Sequence, residues 1–415
     1  MKKLLTHAYI SASTGSGKSE LIRVIFREMI LNFDHASFVL IDPHGSLAES
    51  CKKLQTIGGF KERVVYIDPF LKEGFTPVFN PFEIKDTSIK NITFTAEQFI
   101  LAMEEVLSRS GGEFTEVQMN ALEKSVYFLL QRKQSTMQDL VSVLKAESPI
   151  FEEAQAYDSH FFDKEFAKPS NRTRKALTDR VDRLLNSPIQ KLLFGGSSTF
   201  DLEKILNTEG KILIFNLGEL SEQTQISMSK FLIASIKSII RKRKKNNGQA
   251  TFLLVDEAHI MVSGSIEYML SQLRGFGLHV LLANQYLNQL GEQAESVRQN
   301  CAVKIVASDD FSEMNKVIPI PKETPLKDYE FFLKVRGYPV QIFKSPDFLL
   351  NDPSTYEINA AQEADFDAYQ LEHYYQAYGD SNTLITKDLP NEPTPPSNEG
   401  ESSAPKPPFQ IDIDE

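Results

Sequence analysis

Cysteine and long apolar runs are scarce in this chain of 415 residues. The only cysteines, Cys51 and Cys301, lie far apart and outside any metal-ligand spacing, which argues against a disulfide framework or a zinc site and fits a reducing compartment. No stretch approaches the roughly 20 apolar residues that span a bilayer. The nearest, Phe231 to Ile240, is broken by Ser235, Lys237 and Ser238. The start, Met1 to Leu5, is too short for a signal peptide before the polar run Ser11 to Lys18. A cytoplasmic protein that touches a membrane only through a partner is expected. Repeats of solenoid period are absent too.

Basic charge is also in deficit, but unevenly. The net charge is -11, yet Asp352 to Glu415 holds 14 Asp and Glu against Lys387 and Lys406. That segment carries about -12 and leaves residues 1–351 at about +1. An acidic end masks a near-neutral body, so the balance neither supports nor excludes a nucleic-acid partner.

What is present is an alternation of strands and helices. Ala8–Ala12, Ser37–Ile41 and Arg63–Ile67 are short apolar runs bounded by turn residues, and Lys18–Leu31 has helical spacing. The pattern predicts a parallel sheet covered on both faces, over residues 1–92. From residue 93 to 207 strand signals are few. Helical spacing over Ala96–Leu107, Thr115–Gln131, Thr136–Lys145 and Arg172–Leu185 predicts an all-α insertion. The α/β pattern resumes over 208–350, with strands at Lys211–Leu217, Thr251–Val255, Leu278–Ala283 and Ala302–Ala307. Phe331–Val335 and Pro339–Phe343 suggest an edge hairpin. Residues 351–415 form an acidic, Pro-rich tail, with a candidate helix over Tyr356–Tyr378. Seven of the 20 prolines fall within 389–408, which predicts disorder there.

The chemistry sits at strand ends. Ala12-Ser-Thr-Gly-Ser-Gly-Lys-Ser19 joins a strand to a helix and is the P-loop pattern, with Ala12 where the first glycine usually stands. Glycines at 15 and 17 let backbone N–H groups turn inward around phosphate oxygens, and the helix start adds its positive end. Thr14, Gly15, Ser16, Gly17, Lys18, Ser19 and Glu20 are the candidate nucleotide-binding residues. Lys18 would reach the β- and γ-phosphates, and Ser19 would ligate Mg²⁺. Phe252 to Val255 then delivers Asp256 and Glu257 at a strand's C-terminal end, where open α/β sheets bind ligands. Asp256 is the second metal residue, and Glu257 the candidate base that activates water. The two motifs together predict an ATPase using ATP and Mg²⁺.

Other residues leave alternatives open. Gln285 follows Leu278–Asn284 and either senses the γ-phosphate or caps a strand. Arg274 is the candidate arginine finger with Arg298 as rival, and a surface ion pair is equally consistent with either. Asp42-Pro43-His44-Gly45 is a tight turn at the same sheet edge, with or without a role near nucleotide. Arg241 to Lys245 (RKRKK) suits a solvated helix C-terminus or a phosphate backbone.

Ala12–Ser19, Leu40–Gly45, Leu253–His259 and Arg274–Gln285, in that order, resemble the FtsK–HerA superfamily of ring-forming DNA translocases. The helical insertion and the stretch Ala176–Leu217 are most similar to conjugative coupling proteins of the TraG/TraD type and to type IV secretion ATPases. In that stretch the matching pattern includes Leu185 to Pro188, Phe194-Gly195 and Phe200-Asp-Leu202. The resemblance spans roughly residues 8–345. It implies a RecA-like P-loop core, an all-α domain, a homo-hexamer and passage of single- or double-stranded DNA through its pore. Coupling proteins place transmembrane helices ahead of the P-loop and HerA proteins a β-barrel. Here the P-loop begins at residue 12, so either a membrane-anchored, nuclease or relaxase partner docks the motor or a leading segment precedes Met1. A HerA-like helicase in repair or defence, and a nucleotide-gated scaffold that pumps no DNA, are the alternatives.

Overall fold

The computed structural model describes residues 6–378, except 112, 133, 147, 167–171, 247, 261–264 and 321–323. The expected disorder over 389–408 lies outside the described residues.

Among the described residues eleven strands follow in chain order: β1 (Ala8–Ala12), β2 (Ser37–Asp42), β3 (Val64–Ile67), β4 (Phe75–Thr76), β5 (Ile212–Asn216), β6 (Thr251–Val255), β7 (Leu278–Asn284), β8 (Val303–Ala307), β9 (Glu330–Val335), β10 (Gln341–Lys344) and β11 (Gln376–Ala377). Nine of them form one sheet in the order β10-β9-β8-β1-β7-β6-β2-β5-β3. Every pairing from β8 to β3 is parallel, and the β9–β10 hairpin joins β8 antiparallel. This is the mainly parallel sheet that the apolar runs predict and the RecA-like α/β core that the family resemblance implies.

The strands are apolar on both faces because both faces are covered. Phe38 and Leu40 point into one core with Leu21, Ile22 and Phe26 of the Lys18–Asn32 helix. Val39 and Ile41, one residue out of phase, join a second core with Phe99 and Phe231. Those two rings stack 5.4 Å apart where the Ile89–Gly111 helix packs on the Glu222–Arg241 helix. Fully burying each such ring contributes roughly 1.5–3 kcal/mol.

Between β4 and β5 the described chain holds helices and no strand. Thr115 and Thr136 start two of them through capping boxes closed by Gln118 and Asp139. The helices Pro149–Tyr157, Pro188–Phe194 and Leu202–Asn207 were not predicted; they are short, and tertiary packing holds them. Phe151, Phe161, Phe162 and Phe166, for instance, interlock with ring centroids 5.0–6.2 Å apart.

The segment expected to open the tail at 351 differs from expectation. The compact unit runs to Tyr378, and an Ala360–Tyr374 helix lies against β3. β3 is an edge strand, with main-chain groups left over on its outer side. Gln370, wholly buried, supplies partners: its Oε1 accepts from Tyr66 N at 2.8 Å and its Nε2 donates to Val64 O at 3.3 Å. Tyr375 Oη donates to Tyr66 O at 2.9 Å and accepts from Asp68 N at 2.8 Å. β11 then pairs antiparallel with β4. Acidic composition hid this docking, since the carboxylates Glu363 and Asp367 face Lys52 rather than solvent alone. Among the described residues no helix is long and apolar enough to cross a membrane.

Candidate active site

Strand order brings the motifs together. β7 lies between β1 and β6, with Ser11 opposite Asn284 and Val255 opposite Leu282. The loop after β1, the acids after β6 and the polar end of β7 therefore share one sheet edge.

The loop is held at both sides. Ser13 N donates to Ala307 O at 2.9 Å, and Ser16 N to Ser13 O at 3.2 Å. Ala12 is the last residue of β1, paired with Ala307 in extended backbone, so no glycine is needed there. Gly15 and Gly17 are left-handed, at φ 85 and 89. Gly17 caps the Lys18–Asn32 helix without side-chain help, so its first N–H groups point into the loop. Thr14, Gly15 and Ser19 are exposed, while Ser16, Gly17 and Lys18 are half-buried.

Lys18 Nζ donates to Asp256 Oδ1 at 2.9 Å and to Glu257 Oε1 at 2.5 Å. Burial opposes the ammonium charge, but the attraction of Asp256 and the hydrogen bonds to both carboxylates outweigh it and raise the Lys18 pKa. Both acids are buried. Glu257 sits at φ 44, a left-handed backbone that costs on the order of 1–3 kcal/mol outside glycine. Its N–H donates to Asp256 Oδ1 at 2.9 Å, which helps hold that turn. Glu257 Oε2 is buried without a hydrogen-bond partner, with His259 Nδ1 3.4 Å away.

The end of β7 contributes more than Gln285. With its amide oxygen turned to His259, buried Asn284 accepts from His259 N and Nδ1, both at 3.1 Å, and donates to Ala283 O at 2.9 Å. Gln289 Oε1 accepts from Gln285 N at 3.0 Å and Tyr286 N at 3.2 Å. Gln285 O lies 3.5 Å from Ser11 Oγ, next to the P-loop. The chain Glu257–His259–Asn284 thus ties the acids to β7. Its sequence signal was a polar residue closing an otherwise apolar strand.

Glu20 lies in the first turn of the helix, 3.6 Å from Arg23, and burial raises its pKa. Arg23 also pairs with Glu357 ahead of the C-terminal helix. Asp42 explains its turn locally: its carboxylate accepts from His44 N at 2.9 Å and Ala48 N at 2.8 Å. Burial raises the Asp42 pKa, with the nearby Asp256 charge adding to it. Gly45 is required because a Cβ there would sit 2.5 Å from Asn216 Oδ1, at φ 81.

Arg274 is not brought to this edge. It is exposed in the turn ahead of β7, where Gly275 O accepts from Asn246 N at 2.9 Å, at the opposite end of the strands. Arg298 precedes β8 at that same end and forms a two-armed pair with Glu295 at 2.7 and 2.8 Å. Of the basic run, Arg241 lies 4.8 Å from the Phe276 ring centroid, Lys242 reaches Glu203, and buried Arg243 binds Asn207, Leu206 O and Thr251. Lys245, although exposed like Lys244, lies 5.4 Å from the same Phe276 ring.

A P-loop and a strand-borne acid pair converging at the C-terminal edge of a RecA-like parallel sheet define a P-loop ATPase. Residues 1–236 match the family described as "Helicase HerA, central domain" (DUF87), and the chain belongs to that family, consistent with the FtsK–HerA resemblance. Curated protein sequences yield no match. Among solved structures, the chain is similar to the bacterial conjugative coupling protein TrwBΔN70, with 14% identity, a TM-score of 0.60 and coverage of 83% of this chain and 86% of that one. TrwB in complex with ADP and Mg²⁺ gives a TM-score of 0.61 at 14% identity, with the same coverage. VirB4 of Thermoanaerobacter pseudethanolicus gives 0.53 at 15% identity, covering 82% of this chain and 89% of that one.

Proposed function

We propose that the chain is an ATP-hydrolysing motor that moves DNA, working as a homo-hexameric ring in conjugative DNA transfer or type IV secretion. The observation that carries the reading is the meeting of Lys18 with both Asp256 and Glu257 at one sheet edge. Similarity to a coupling protein that binds ADP and Mg²⁺ supports ATP and Mg²⁺ as ligands here.

The residues fit a magnesium nucleotide. Left-handed Gly15 and Gly17 open the loop's N–H groups toward phosphate oxygens. Among the described residues no group of three or more His, Cys, Asp or Glu could hold a metal. The Ser19 hydroxyl and Asp256 are therefore an incomplete set that phosphate oxygens would finish. Mg²⁺ bound there would draw charge from the phosphates. Lys18, leaving its carboxylates, would neutralise the β- and γ-phosphates; Glu257, released from Lys18, would accept a proton from the attacking water. Asn284 and His259 hold that carboxylate's surroundings, and Gln285 would report the γ-phosphate to β7. Arg274, at the opposite edge, would serve the site of a neighbouring copy.

The proposed domain division is an ATPase core over 1–92 and 208–378, which takes in the docked C-terminal helix, with an all-α insertion over 93–207. The motor acts in the cytoplasm and docks to a membrane-anchored, relaxase or nuclease partner. The family's description favours one second reading, a HerA-like translocase in repair or defence. Purified protein assayed with and without single- and double-stranded DNA tests the motor: DNA should raise the ATPase rate several-fold. A slow rate indifferent to both would point to the nucleotide-gated scaffold and overturn it.

A further inference from the structure

Tyr329 occupies a backbone conformation that its side chain does not favour. It is the third residue of a turn closed by Glu330 N donating to Lys327 O at 2.9 Å, and it lies at φ 61. Glycine is the usual residue at left-handed turn positions, because a Cβ there crowds the backbone. The conformation is held from outside. Ser345 N, entering from the strand end of β10, donates to Tyr329 O at 2.8 Å, and Lys327 N donates to Glu330 Oε2 at 2.9 Å. Strain of this kind persists where surrounding structure over-determines it, and a functional reason is sought from the observed outlier.

The antiparallel hairpin explains where the ring goes. β9 runs against β8, so its first residues return to the sheet edge where β1 and β8 end. There the half-buried Tyr329 ring lies over Gly17. A Cβ on Gly17 would come within 2.8 Å of Tyr329 Cε1, and closer still to Cδ1. Gly17 is the last loop residue before Lys18 and the cap of the helix. The ring therefore stands at the mouth of the phosphate loop, across from the buried acids, with part of its surface open to solvent.

We propose that Tyr329 is the aromatic wall against which the base of the bound nucleotide stacks, which deepens the ATPase reading and rests on it. A flat, partly exposed ring beside the phosphate loop offers area to a base and no hydrogen-bond code for its edges. Stacking of this type tolerates different bases, since each presents a π-face. The site should therefore hold ATP and GTP about equally through this contact. The strained turn is the means of presenting the ring.

The chain contains no tryptophan, which makes the test clean. In Tyr329→Trp the single indole reports directly, and ATP or GTP binding should change its fluorescence while inorganic triphosphate, which has no base, should not. Tyr329→Gly relieves the turn and removes the ring. Its thermal stability should match or exceed that of the parent, its Kd for ATP should rise on the order of tenfold, and its Kd for inorganic triphosphate should stay put. Tyr329→Phe should bind ATP like the parent. Equal losses for ATP and inorganic triphosphate would mean that the ring only shapes the loop and would overturn the proposal, as would an unchanged ATP affinity. Lys18→Ala separates the two layers: if it leaves inorganic triphosphate binding intact, the P-loop reading itself fails, whatever Tyr329 does.

Discussion

The two edges of the sheet are built from opposite electrostatic materials. At the C-terminal edge, charges are buried and satisfied by one another: Lys18 against Asp256 and Glu257, with Asp42 held by its own turn. At the N-terminal edge, His7 and His279 are buried without charge, and Arg274 stands exposed beside them. Burial first, then the His279 and Arg274 charges for His7 and the Arg274 charge for His279, together lower the pKa of each histidine to about 4. A buried ion pair can be exchanged for a ligand's charges, because its members already have geometry and lack water. An edge whose buried histidines are uncharged has no buried ion pair to exchange, and it can only offer its outward cations, Arg274 among them, to something else. Under the proposed function, chemistry belongs to the first edge and contact with a neighbouring copy to the second.

The sharpest way to break that division is Glu257→Gln. The amide keeps the side chain's shape and its acceptor oxygen toward Lys18 but cannot take a proton from water. Turnover should fall by roughly 10⁴ at the upper end for a lost general base, with nucleotide affinity retained. Steady-state ATPase and equilibrium binding measured on the same preparation decide it. A variant that hydrolyses ATP at the parent rate removes Glu257 from the role of base.

Arg274→Ala tests the other edge. If that cation completes a neighbour's site, hydrolysis should drop by roughly 10³. Adding Arg274→Ala subunits to Glu257→Gln subunits should then restore some activity, because a mixed ring holds sites with an intact acid facing an intact arginine. Activity unaffected by the substitution would leave Arg274 as a surface residue beside two histidines. Arg298, committed to Glu295 by a two-armed pair, should tolerate the same change.

How far each edge was legible follows from the same contrast. The C-terminal edge was readable because its chemistry is contiguous: Gly15 to Ser19 and Asp256-Glu257 are short runs with fixed spacing, each placed by an apolar strand. β1 and β6 were predicted at their observed bounds. The contact between Tyr329 and Gly17 was not legible, since it joins residues more than 300 positions apart through an antiparallel hairpin. Gln370 reads as an ordinary polar helix residue until β3 proves to be an edge strand that needs partners. His7 and His279 carried no pattern either, because burial of an isolated histidine depends on what packs over a strand end. Periodicity reports which face a residue takes, and it says nothing about which strand ends meet.

The smallest expected effect concerns stability. Each histidine has a folded pKa near 4, below the unfolded value of about 6.5. Between those values the unfolded chain takes up protons that the folded chain refuses, so stability is fully present above about pH 6.5 and is lost as the pH falls toward 4. At pH 5 the loss amounts to about 2 kcal/mol for each histidine. His7 Nδ1 accepts from Val280 N at 3.1 Å, so replacing it would also strand a main-chain donor. His279 is the cleaner site: its Nδ1 is buried without a partner, and its ring lies 5.2 Å from that of Phe252. His279→Phe should keep the packing, remove one titrating group and reduce the loss between pH 7.5 and 5 by about 2 kcal/mol relative to the parent. Denaturant unfolding of both proteins at the two pH values measures this change, to which His7 adds in the same direction because His279 helps lower its pKa. Parallel pH dependences would mean that the N-terminal edge lets His279 take a proton in place, and the neutral half of the comparison would fall.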